Sequence, residues 1–333
     1  MSEMSESIKK PIRVVVPDDD PPVFSDSAAM ARLSRLNEFE VIAFNERARS
    51  QYELQQRITD AHTLIVARSS TRITHSVIEK ASEHLRHIAI WGTATDHIAL
   101  DSARRLGVVV TSTPNTATIA VAEHSLALLM ALARKIPQLD LRVREGEWPG
   151  GQLTQLSGKT LGVVGTGAVG MRMARIAEGI GMRIIMSSIS EDNENNVSNE
   201  SNAWTEVGFA DLLSNSDAIS VHARLNDRTR EMFGAPEFAQ MKPTALFINT
   251  ARGQLLDTRA LSEALANETI AGAALDVFDN EPLRNDSPLS KLPNVILTPH
   301  IASNTSEALN VSLNMVVDNI IDFNQNLVRR QVS

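Results

Sequence analysis

Three glycines in one short stretch have the spacing of a phosphate-binding turn. Gly165, Gly167 and Gly170 form a G-x-G-x-x-G pattern. They directly follow the apolar run Leu161–Val164 and precede a helix-like segment. In that setting the first glycine permits a tight turn, the second lets a pyrophosphate approach the backbone, and the third lets the helix pack close to the strand. Because a helix N-terminus also offers free N–H groups to an anion, we predict a dinucleotide site at this turn.

The residues after the strand that follows this turn and its helix indicate whether the bound dinucleotide can carry a 2′-phosphate on its adenosine ribose. An adenosine ribose without a 2′-phosphate usually meets an Asp or Glu about 20 residues further on, at the end of that strand. Here Arg183–Met186 is the strand that follows the glycine turn and its helix, and Ser187 and Ser188 come after it. No acid stands at the end of this strand, and Glu191 and Asp192 come slightly late.

The elements around this turn alternate between strand-like and helix-like segments. Strands are predicted over Ile12–Val16, Phe39–Phe44, Thr63–Ala67, His87–Trp91, Val108–Thr111, Thr160–Val164, Arg183–Met186, Ala218–Val221, Ala245–Asn249, Gly272–Asp276 and Val295–Thr298. Helices are predicted over Ser27–Leu36, Ser50–Ile58, Ser76–Ser82, Leu100–Leu106, Val169–Ile180, Ala210–Ser214, Thr258–Ala266 and Thr305–Asn324. Such alternation predicts parallel sheets covered by helices. The polar stretch 187–201 predicts an exposed loop.

One further predicted helix, Ile119–Lys135, is apolar nearly all round. Such a helix is buried on several sides, so we expect it to lie between domains or between subunits. On it, His124 stands beside Glu123, and we expect the two to form a satisfied structural pair. The Gly/Pro-rich residues 145–158 predict a loop.

Composition excludes several kinds of site. The 333 residues are 43% hydrophobic and 22% charged, which is typical of a globular protein of about two domains. A net charge of −8 argues against nucleic acid or an anionic membrane as the main partner. The absence of cysteine excludes disulfides and thiolate chemistry, and no metal site is predicted. The acidic, polar start and the lack of a long apolar run predict a soluble cytoplasmic protein.

Several short motifs occur together in one order along the chain. They are Ala67–Thr71, Gly92–Asp96, Ala122–His124, the glycine turn, Asn249–Gly253, Leu275–Phe278, Glu281-Pro282 and Thr298–His300. In this order and spacing the chain resembles the D-isomer-specific 2-hydroxyacid dehydrogenases, from about Ile12 to Phe323. Within that family it is similar to glyoxylate/hydroxypyruvate reductases and D-3-phosphoglycerate dehydrogenases. The resemblance implies an NAD(P)-dependent oxidoreductase that transfers a hydride between nicotinamide and a small 2-keto acid or D-2-hydroxy acid.

The resemblance places catalysis on Arg252, Glu281 and His300. Hydride addition to a carbonyl carbon leaves negative charge on the oxygen, and a neighbouring imidazolium can donate a proton there. His300 would be that donor, and the Glu281 carboxylate would favour its protonated form and fix its orientation. Arg252 would bind the substrate carboxylate and polarise the carbonyl.

Four more residues match the family's substrate positions and add to Arg252. Thr93 and Ala94 match a loop whose backbone N–H groups hold the substrate carboxylate. Arg68 and Ser69 match a stretch near the far end of the substrate. Hydroxypyruvate or glyoxylate is the first substrate we expect, and 3-phosphohydroxypyruvate is the second.

The family's cofactor contacts map onto the glycine turn, the ends of two strands and two later loops. The residues are Gly165, Thr166, Gly167, Ala168, Val169, Gly170, Ser187, Ser188, His222, Ala223, Arg224, Thr250, Ala251, Asp276, His300 and Ala302.

Three positions depart from the family pattern. Ser188 stands where NAD-dependent members carry the ribose-binding Asp, and Arg224, where Pro is usual, could pair with a 2′-phosphate. Two features favour NAD instead: Glu191, Asp192 and Glu194 are nearby, and Ile189 stands where NADP-dependent relatives often carry Arg. We expect NADP to be preferred, with NAD as the alternative. Ala94 replaces a family glycine and predicts either a tighter loop or slightly displaced backbone donors.

We expect an α/β protein with two doubly wound parallel-sheet domains. The cofactor domain, 111–297, is expected to be of the Rossmann type. The substrate domain is expected to be flavodoxin-like and discontinuous, formed by 1–110 and 298–333. The active site is expected in the cleft between them. Because the chain stops soon after its last predicted helix, no regulatory domain is expected, and we expect a homodimer through the helix Ile119–Lys135.

Two alternative functions stay open at this point. The same fold serves as a dinucleotide-sensing, corepressor-like binding protein, which would bind cofactor without turnover. It also serves formate and phosphite dehydrogenases, which differ in substrate.

Overall fold

The computed structural model describes residues 11–67, 71–189 and 204–332. The chain divides into two compact units. Met1–Ala117 together with Ser306–Ser333 form the first unit, and Thr118–Thr305 form the second. Both divisions fall a few residues later in the chain than the boundaries expected from sequence, and the substrate and cofactor roles of the two domains stay predictions.

Twelve strands and eleven α-helices are formed by the described residues. The strands are β1 (Ile12–Val16), β2 (Phe39–Ala43), β3 (Thr63–Val66), β4 (His87–Ile90), β5 (Val109–Thr111), β6 (Thr160–Val164), β7 (Arg183–Ser187), β8 (Thr205–Glu206), β9 (Ala218–Val221), β10 (Leu246–Asn249), β11 (Gly272–Leu275) and β12 (Val295–Leu297). The helices are α1 (Ala28–Ser34), α2 (Gln51–Ile58), α3 (His75–Ala81), α4 (Leu100–Arg105), α5 (Thr118–Ala133), α6 (Ile136–Arg144), α7 (Ala168–Gly179), α8 (Phe209–Asn215), α9 (Ala235–Gln240), α10 (Thr258–Ala266) and α11 (Ser306–Asn324).

The first unit is built on a parallel sheet of five strands in the order β2-β1-β3-β4-β5. Successive strand residues point to opposite faces, so Val15 packs with α2, α3 and α4 while Val14 and Val16 pack with α1 and α11. Helices α1 and α2 begin where Ser27 and Ser50 accept hydrogen bonds from the backbone N–H three residues later. This is the flavodoxin-like order.

The second unit is built on a parallel sheet of seven strands in the order β12-β11-β10-β9-β6-β7-β8. The order reverses between β6 and β9, as in a Rossmann sheet, and ligands of such sheets bind where the order reverses. Separate apolar clusters cover its two faces, with α5 and α7 on one and α8, α9 and α10 on the other. The predicted fold class is confirmed.

Three elements were not predicted from sequence. They are helix α6, helix α9 and the two-residue strand β8. The predicted loop over 187–201 lies outside the described residues except for its first three positions. Among the described helices, none has the length and apolar character needed to cross a membrane.

Candidate active site

The glycine turn between β6 and α7 is shaped by close backbone contacts. Gly165 has a φ of +100°, and a Cβ there would lie 2.7 Å from the carbonyl carbon of His222 and 2.8 Å from the N atom of Ala223. A Cβ on Gly170 would collide with the carbonyl oxygen of Gly165. Since the colliding atoms are backbone, neither position accepts a side chain. The turn is therefore held against the end of β9, where the strand order reverses.

Gly167 differs from the other two glycines. It is exposed, its φ of −72° is open to any residue, and a Cβ added there would have no described atom within 4 Å. Nothing in the described protein therefore requires glycine there. Gly167 is also the N-cap of α7 and provides no side-chain cap, and the first N–H groups of this twelve-residue helix have no acceptor within the helix. These features fit a pyrophosphate that approaches the backbone at Gly167.

The predicted ribose region lies at the ends of β7 and β9. Ser187 is buried, and its carbonyl oxygen accepts a hydrogen bond of 2.9 Å from the N–H of Gly165. Ser188 is half-buried. His222 lies 2.9 Å from the Ser220 hydroxyl, and burial lowers the pKa of His222 to about 4, so its ring is neutral near pH 7.

Arg224 follows β9 as an exposed residue. Its carbonyl oxygen accepts a hydrogen bond of 2.6 Å from the Thr229 hydroxyl, which fixes the backbone of this loop. Its guanidinium forms no ion pair or hydrogen bond with another residue in the described ranges. Ala223, just before it, is buried.

Asn249 and Gly253 position the loop that carries Arg252. The buried Asn249 side chain accepts a hydrogen bond from the Ala251 N–H at 3.0 Å and donates one to the Arg252 carbonyl at 2.8 Å. A Cβ on Gly253 would collide with the backbone of Phe278, so only glycine lets this loop lie against the segment that leads to Glu281. Neither residue was among the predicted site residues, although both belong to the motif Asn249–Gly253.

Thr250 in the same loop is anchored to α5. The Ser125 hydroxyl donates to the Val121 carbonyl at 2.7 Å, so it has no proton left for the Thr250 hydroxyl 2.8 Å away. Thr250 is therefore the donor in that second hydrogen bond.

Glu281 and His300 form a close pair. Oε2 of Glu281 lies 2.7 Å from Nδ1 of His300, and the Phe278 N–H donates to Oε1 at 3.1 Å. Burial raises the pKa of the Glu281 carboxyl, but the hydrogen bond and charge of His300, the Phe278 amide and the charge of Arg252 together lower it below its usual value. Because an ionised carboxylate only accepts hydrogen bonds, the His300 Nδ1 carries the proton between them.

The consequence for His300 is that Nε2 is the ring nitrogen left to exchange a proton with a substrate. The Glu281 and His300 side chains keep 24% and 32% of their surface exposed, so the pair is partly open. The two residues and Arg252 therefore bring an imidazole, an ionised carboxylate and a guanidinium into one region of the second unit.

Asp276 anchors the loop around His300. Its buried carboxylate accepts hydrogen bonds from the Thr298 hydroxyl at 2.6 Å and from the backbone N–H groups of Ile301 at 3.0 Å and Ala302 at 2.9 Å. Burial raises the pKa of the Asp276 carboxyl, but these donors and His124 lower it below its usual value. Asp276 and Ala302 were predicted as cofactor contacts, which stay predictions. In the structure the Asp276 carboxylate accepts a hydrogen bond from the Ala302 N–H, and this bond fixes the loop around His300.

The expectation that His124 pairs with Glu123 is wrong. Nε2 of His124 lies 3.1 Å from the Thr298 hydroxyl oxygen and 3.6 Å from Oδ1 of Asp276, while Glu123 is exposed. Neighbours in a helix sequence point about 100° apart around its axis, so adjacent residues do not face each other.

The predicted substrate loop lies in the first unit. Thr93 is exposed and Ala94 is half-buried. The loop begins at Gly92, whose N–H donates to the Thr113 hydroxyl at 2.8 Å and whose carbonyl accepts from the Thr113 N–H at 2.9 Å. Arg68 and Ser69 lie outside the described residues.

A known protein family matches more than half of the chain. Residues 126–302 match the family model of the D-isomer specific 2-hydroxyacid dehydrogenase, NAD binding domain. The chain belongs to the D-isomer specific 2-hydroxyacid dehydrogenases. The matched region contains the glycine turn, Arg252, Glu281 and His300. The predicted family is thus confirmed, and the protein is an NAD(P)-dependent oxidoreductase with a nicotinamide cofactor.

Individual relatives span most of the chain. A glyoxylate reductase of Aeropyrum pernix is 42% identical over 262 residues, which cover 74% of this chain and 77% of that protein. An NADPH-dependent glyoxylate/hydroxypyruvate reductase of Sinorhizobium meliloti, solved with NADP and malonate, has a TM-score of 0.83 at 29% identity and covers 97% of both chains. An NAD-dependent formate dehydrogenase of Staphylococcus aureus, solved with NAD, has a TM-score of 0.85 at 25% identity and covers 97% of this chain and 99% of that one.

Proposed function

We propose that this protein reduces a small 2-keto acid to the D-2-hydroxy acid, with hydroxypyruvate or glyoxylate as the first candidate substrate and 3-phosphohydroxypyruvate as the second. The observation that carries the proposal is the 2.7 Å pair of His300 with an ionised Glu281, in a chain of this dehydrogenase family. The glyoxylate reductase named above supports the first candidates.

In this function His300 supplies the proton. A reduced nicotinamide cofactor, when bound, would supply the hydride for the carbonyl carbon. Nε2 of His300 donates a proton to the carbonyl oxygen as negative charge develops there. Glu281 stabilises the positive charge of the imidazolium and holds the ring through Nδ1. Arg252 binds the substrate carboxylate through a bidentate contact and polarises the carbonyl.

The cofactor region supports NADP over NAD. Ser188 places no carboxylate where a 2′-phosphate would lie, and Arg224 offers a guanidinium without a partner among the described residues. The Sinorhizobium meliloti reductase was solved with NADP. We therefore propose that NADPH is the preferred reduced cofactor.

A second copy of the chain is the proposed partner. Helix α6 has no buried residue, and it exposes Ile136, Leu141 and Val143. Trp148, which follows it, is 91% exposed. Apolar patches of this kind mark interfaces, and two-fold dimers are the commonest assemblies. We propose a homodimer through α6, Trp148 and the neighbouring helix α5.

A substrate panel tests the proposed function. Hydroxypyruvate, glyoxylate, 3-phosphohydroxypyruvate and pyruvate would each be assayed with NADPH and with NADH by the loss of absorbance of the reduced cofactor. Formate and phosphite would be assayed with the oxidised cofactors. Turnover of a keto acid supports the proposal. Binding of cofactor without any turnover would favour the sensing protein, and turnover of formate or phosphite alone would favour those dehydrogenases.

A further inference from the structure

The motif Ala122–His124 has no part in the proposed catalytic steps, yet His124 contacts the loop that carries His300. His124 lies on α5 and its side chain is 24% exposed. Its Nε2 lies 3.1 Å from the hydroxyl oxygen of Thr298 and 3.6 Å from Oδ1 of Asp276. All of these residues belong to the second unit.

The hydrogen bonds around Thr298 determine where the proton of His124 lies. The Asp276 carboxyl has a lowered pKa and is ionised near pH 7, so it only accepts hydrogen bonds. The Thr298 hydroxyl, 2.6 Å from Oδ1, must therefore donate its single proton to Asp276. Toward His124 the same oxygen can only accept. Nε2 of His124 is consequently a donor.

The same carboxylate holds the backbone on the C-terminal side of His300. Oδ1 of Asp276 accepts from the Ile301 N–H, and Oδ2 accepts from the Ala302 N–H. His300 itself has a φ of +53°, in the left-handed region that residues with a side chain seldom adopt. Such a conformation persists only where the surroundings hold it.

We propose that His124 is a positioning residue for His300. Its Nε2–H holds the Thr298 hydroxyl and the Asp276 carboxylate in the arrangement that keeps His300 left-handed, with Nδ1 on Glu281. His124 acts through Thr298 and Asp276 and takes no part in proton transfer. The proposal rests on the proposed function, in which His300 donates the proton.

Two substitutions at one position test this role. His124→Leu removes the donor, whereas His124→Gln keeps an amide N–H donor at nearly the position of Nε2. Because small displacements of a reacting group are costly, we expect kcat with glyoxylate or hydroxypyruvate to fall about 10–100-fold in His124→Leu. In His124→Gln it should stay within about fivefold of the parent, with the KM for NADPH little changed in both. The control is Glu123→Gln, an exposed neighbour on the same helix that should match the parent.

Full activity in His124→Leu would overturn the proposal, and so would a His124→Gln variant as impaired as His124→Leu. If His124→Leu does not fold, Thr298→Val removes the hydroxyl that His124 holds and should cause a similar loss of kcat. Where both variants fold, the double variant should be about as impaired as either single one, because the two residues act as a unit. If the loss of kcat in the double variant is instead the product of the two single losses, the two residues do not act as a unit.

Spectroscopy separates this proposal from the proposed function. Long-range ¹H–¹⁵N spectra of the protein with ¹⁵N-labelled histidine should show a hydrogen on Nε2 of His124 at pH 7, with the signal assigned by its loss in His124→Gln. If Nε2 of His124 carries no hydrogen, the positioning role of His124 is overturned, even if the enzyme is active. A parent protein that turns over no keto acid with either cofactor would instead overturn the proposed function, whatever the spectra show.

Discussion

In the proposed function the two nitrogens of the His300 ring have different tasks, and this division underlies the predictions at the residue scale. Nδ1 lies 2.7 Å from the Glu281 carboxylate, and Nε2 is the nitrogen proposed to transfer the proton. The backbone of His300, with its φ of +53°, and the loop bound to Asp276 position the ring. The position of the His300 side chain therefore depends on backbone that the Asp276 side chain holds.

Replacing the proton donor should abolish most of the turnover. In His300→Gln we expect kcat to fall by about two to four orders of magnitude, because general acid catalysis is lost while the cofactor site is retained. Steady-state kinetics and NADPH titration by fluorescence measure the two effects. His84→Gln, at a surface histidine of the first unit, is the control and should keep full activity. A His300→Gln variant with near-parental kcat would show that His300 is not the donor.

Neutralising Glu281 should shift the pH profile. The pKa of the Glu281 carboxyl is lowered, so this group is an anion near pH 7, and its charge lies 2.7 Å from Nδ1 of His300. Glu281→Gln removes that charge from beside the ring that is proposed to donate the proton, so reductase activity should fade at lower pH in the variant. The basic limb of kcat/KM for keto-acid reduction should move to lower pH than in the parent. A profile that keeps its position would contradict a functional pair.

The charge of Arg224 should set the cofactor preference. A charge-assisted contact to phosphate contributes about 1.5–3 kcal/mol, so Arg224→Pro should reduce the NADPH:NADH ratio of kcat/KM about tenfold or more. Proline restores the residue usual in NAD-dependent relatives, and no hydrogen bond from the Arg224 N–H to another described residue is lost. Arg230→Gln, an exposed arginine of the same loop, is the control. If the parent protein prefers NADH, or if the NADPH:NADH ratio of kcat/KM stays the same in Arg224→Pro, Arg224 is only a surface charge and does not set the cofactor preference.

At the scale of elements, the β6–turn–α7 unit contains two glycines that the fold requires and one, Gly167, that no contact with the described residues requires. Gly165 and Gly170 lie against backbone, whereas Gly167 faces open space at the start of the helix. The same substitution at different points of the unit should therefore have different effects on stability and on cofactor binding.

Alanine substitutions in this unit test that distinction. Gly167→Ala should change the free energy of unfolding by no more than about 0.5 kcal/mol. It should weaken NADPH binding about tenfold or more, because the Cβ occupies the space left for the pyrophosphate. Gly170→Ala should destabilise the fold by about 1–3 kcal/mol, because its Cβ collides with the Gly165 carbonyl. Gly179→Ala, at the far end of α7 with open space around it, is the control for both measurements. Unchanged NADPH affinity in Gly167→Ala would argue against a pyrophosphate at the turn.

At the scale of the whole molecule, the proposed homodimer depends on the exposed apolar side chains of α6 and on Trp148. We expect light scattering at micromolar concentration to give twice the chain mass of 36.4 kDa. Leu141→Glu should produce a monomer, because a buried unpaired charge at an interface is costly. Val328→Glu introduces the same charge at an exposed apolar residue of the first unit and should leave the dimer intact. A parent mass of 36.4 kDa would contradict the dimer.

Local patterns were sufficient to predict most of the elements. Strands β1, β6 and β9 begin and end where the sequence predicts, because short apolar, mostly β-branched runs bounded by turn residues suit buried parallel strands. Helix α6 was not predicted because none of its residues is buried and its exposed apolar side chains lie among charged ones. Helix α9 has only six residues and contains Pro236, so it has too few turns for a periodic pattern.

The sequence by itself determined the family, the fold class and the glycine turn, because each depends on residues close together in the chain or on motifs in a set order. Only the tertiary structure decided that His124 meets Asp276 and Thr298, and that Gly253 lies against Phe278. These partners are far apart in sequence and meet because β10, β11 and β12 are neighbours in the sheet, beside α5. Hydrogen-bond partners, proton positions and the left-handed backbone of His300 all follow from that packing, which no local pattern encodes.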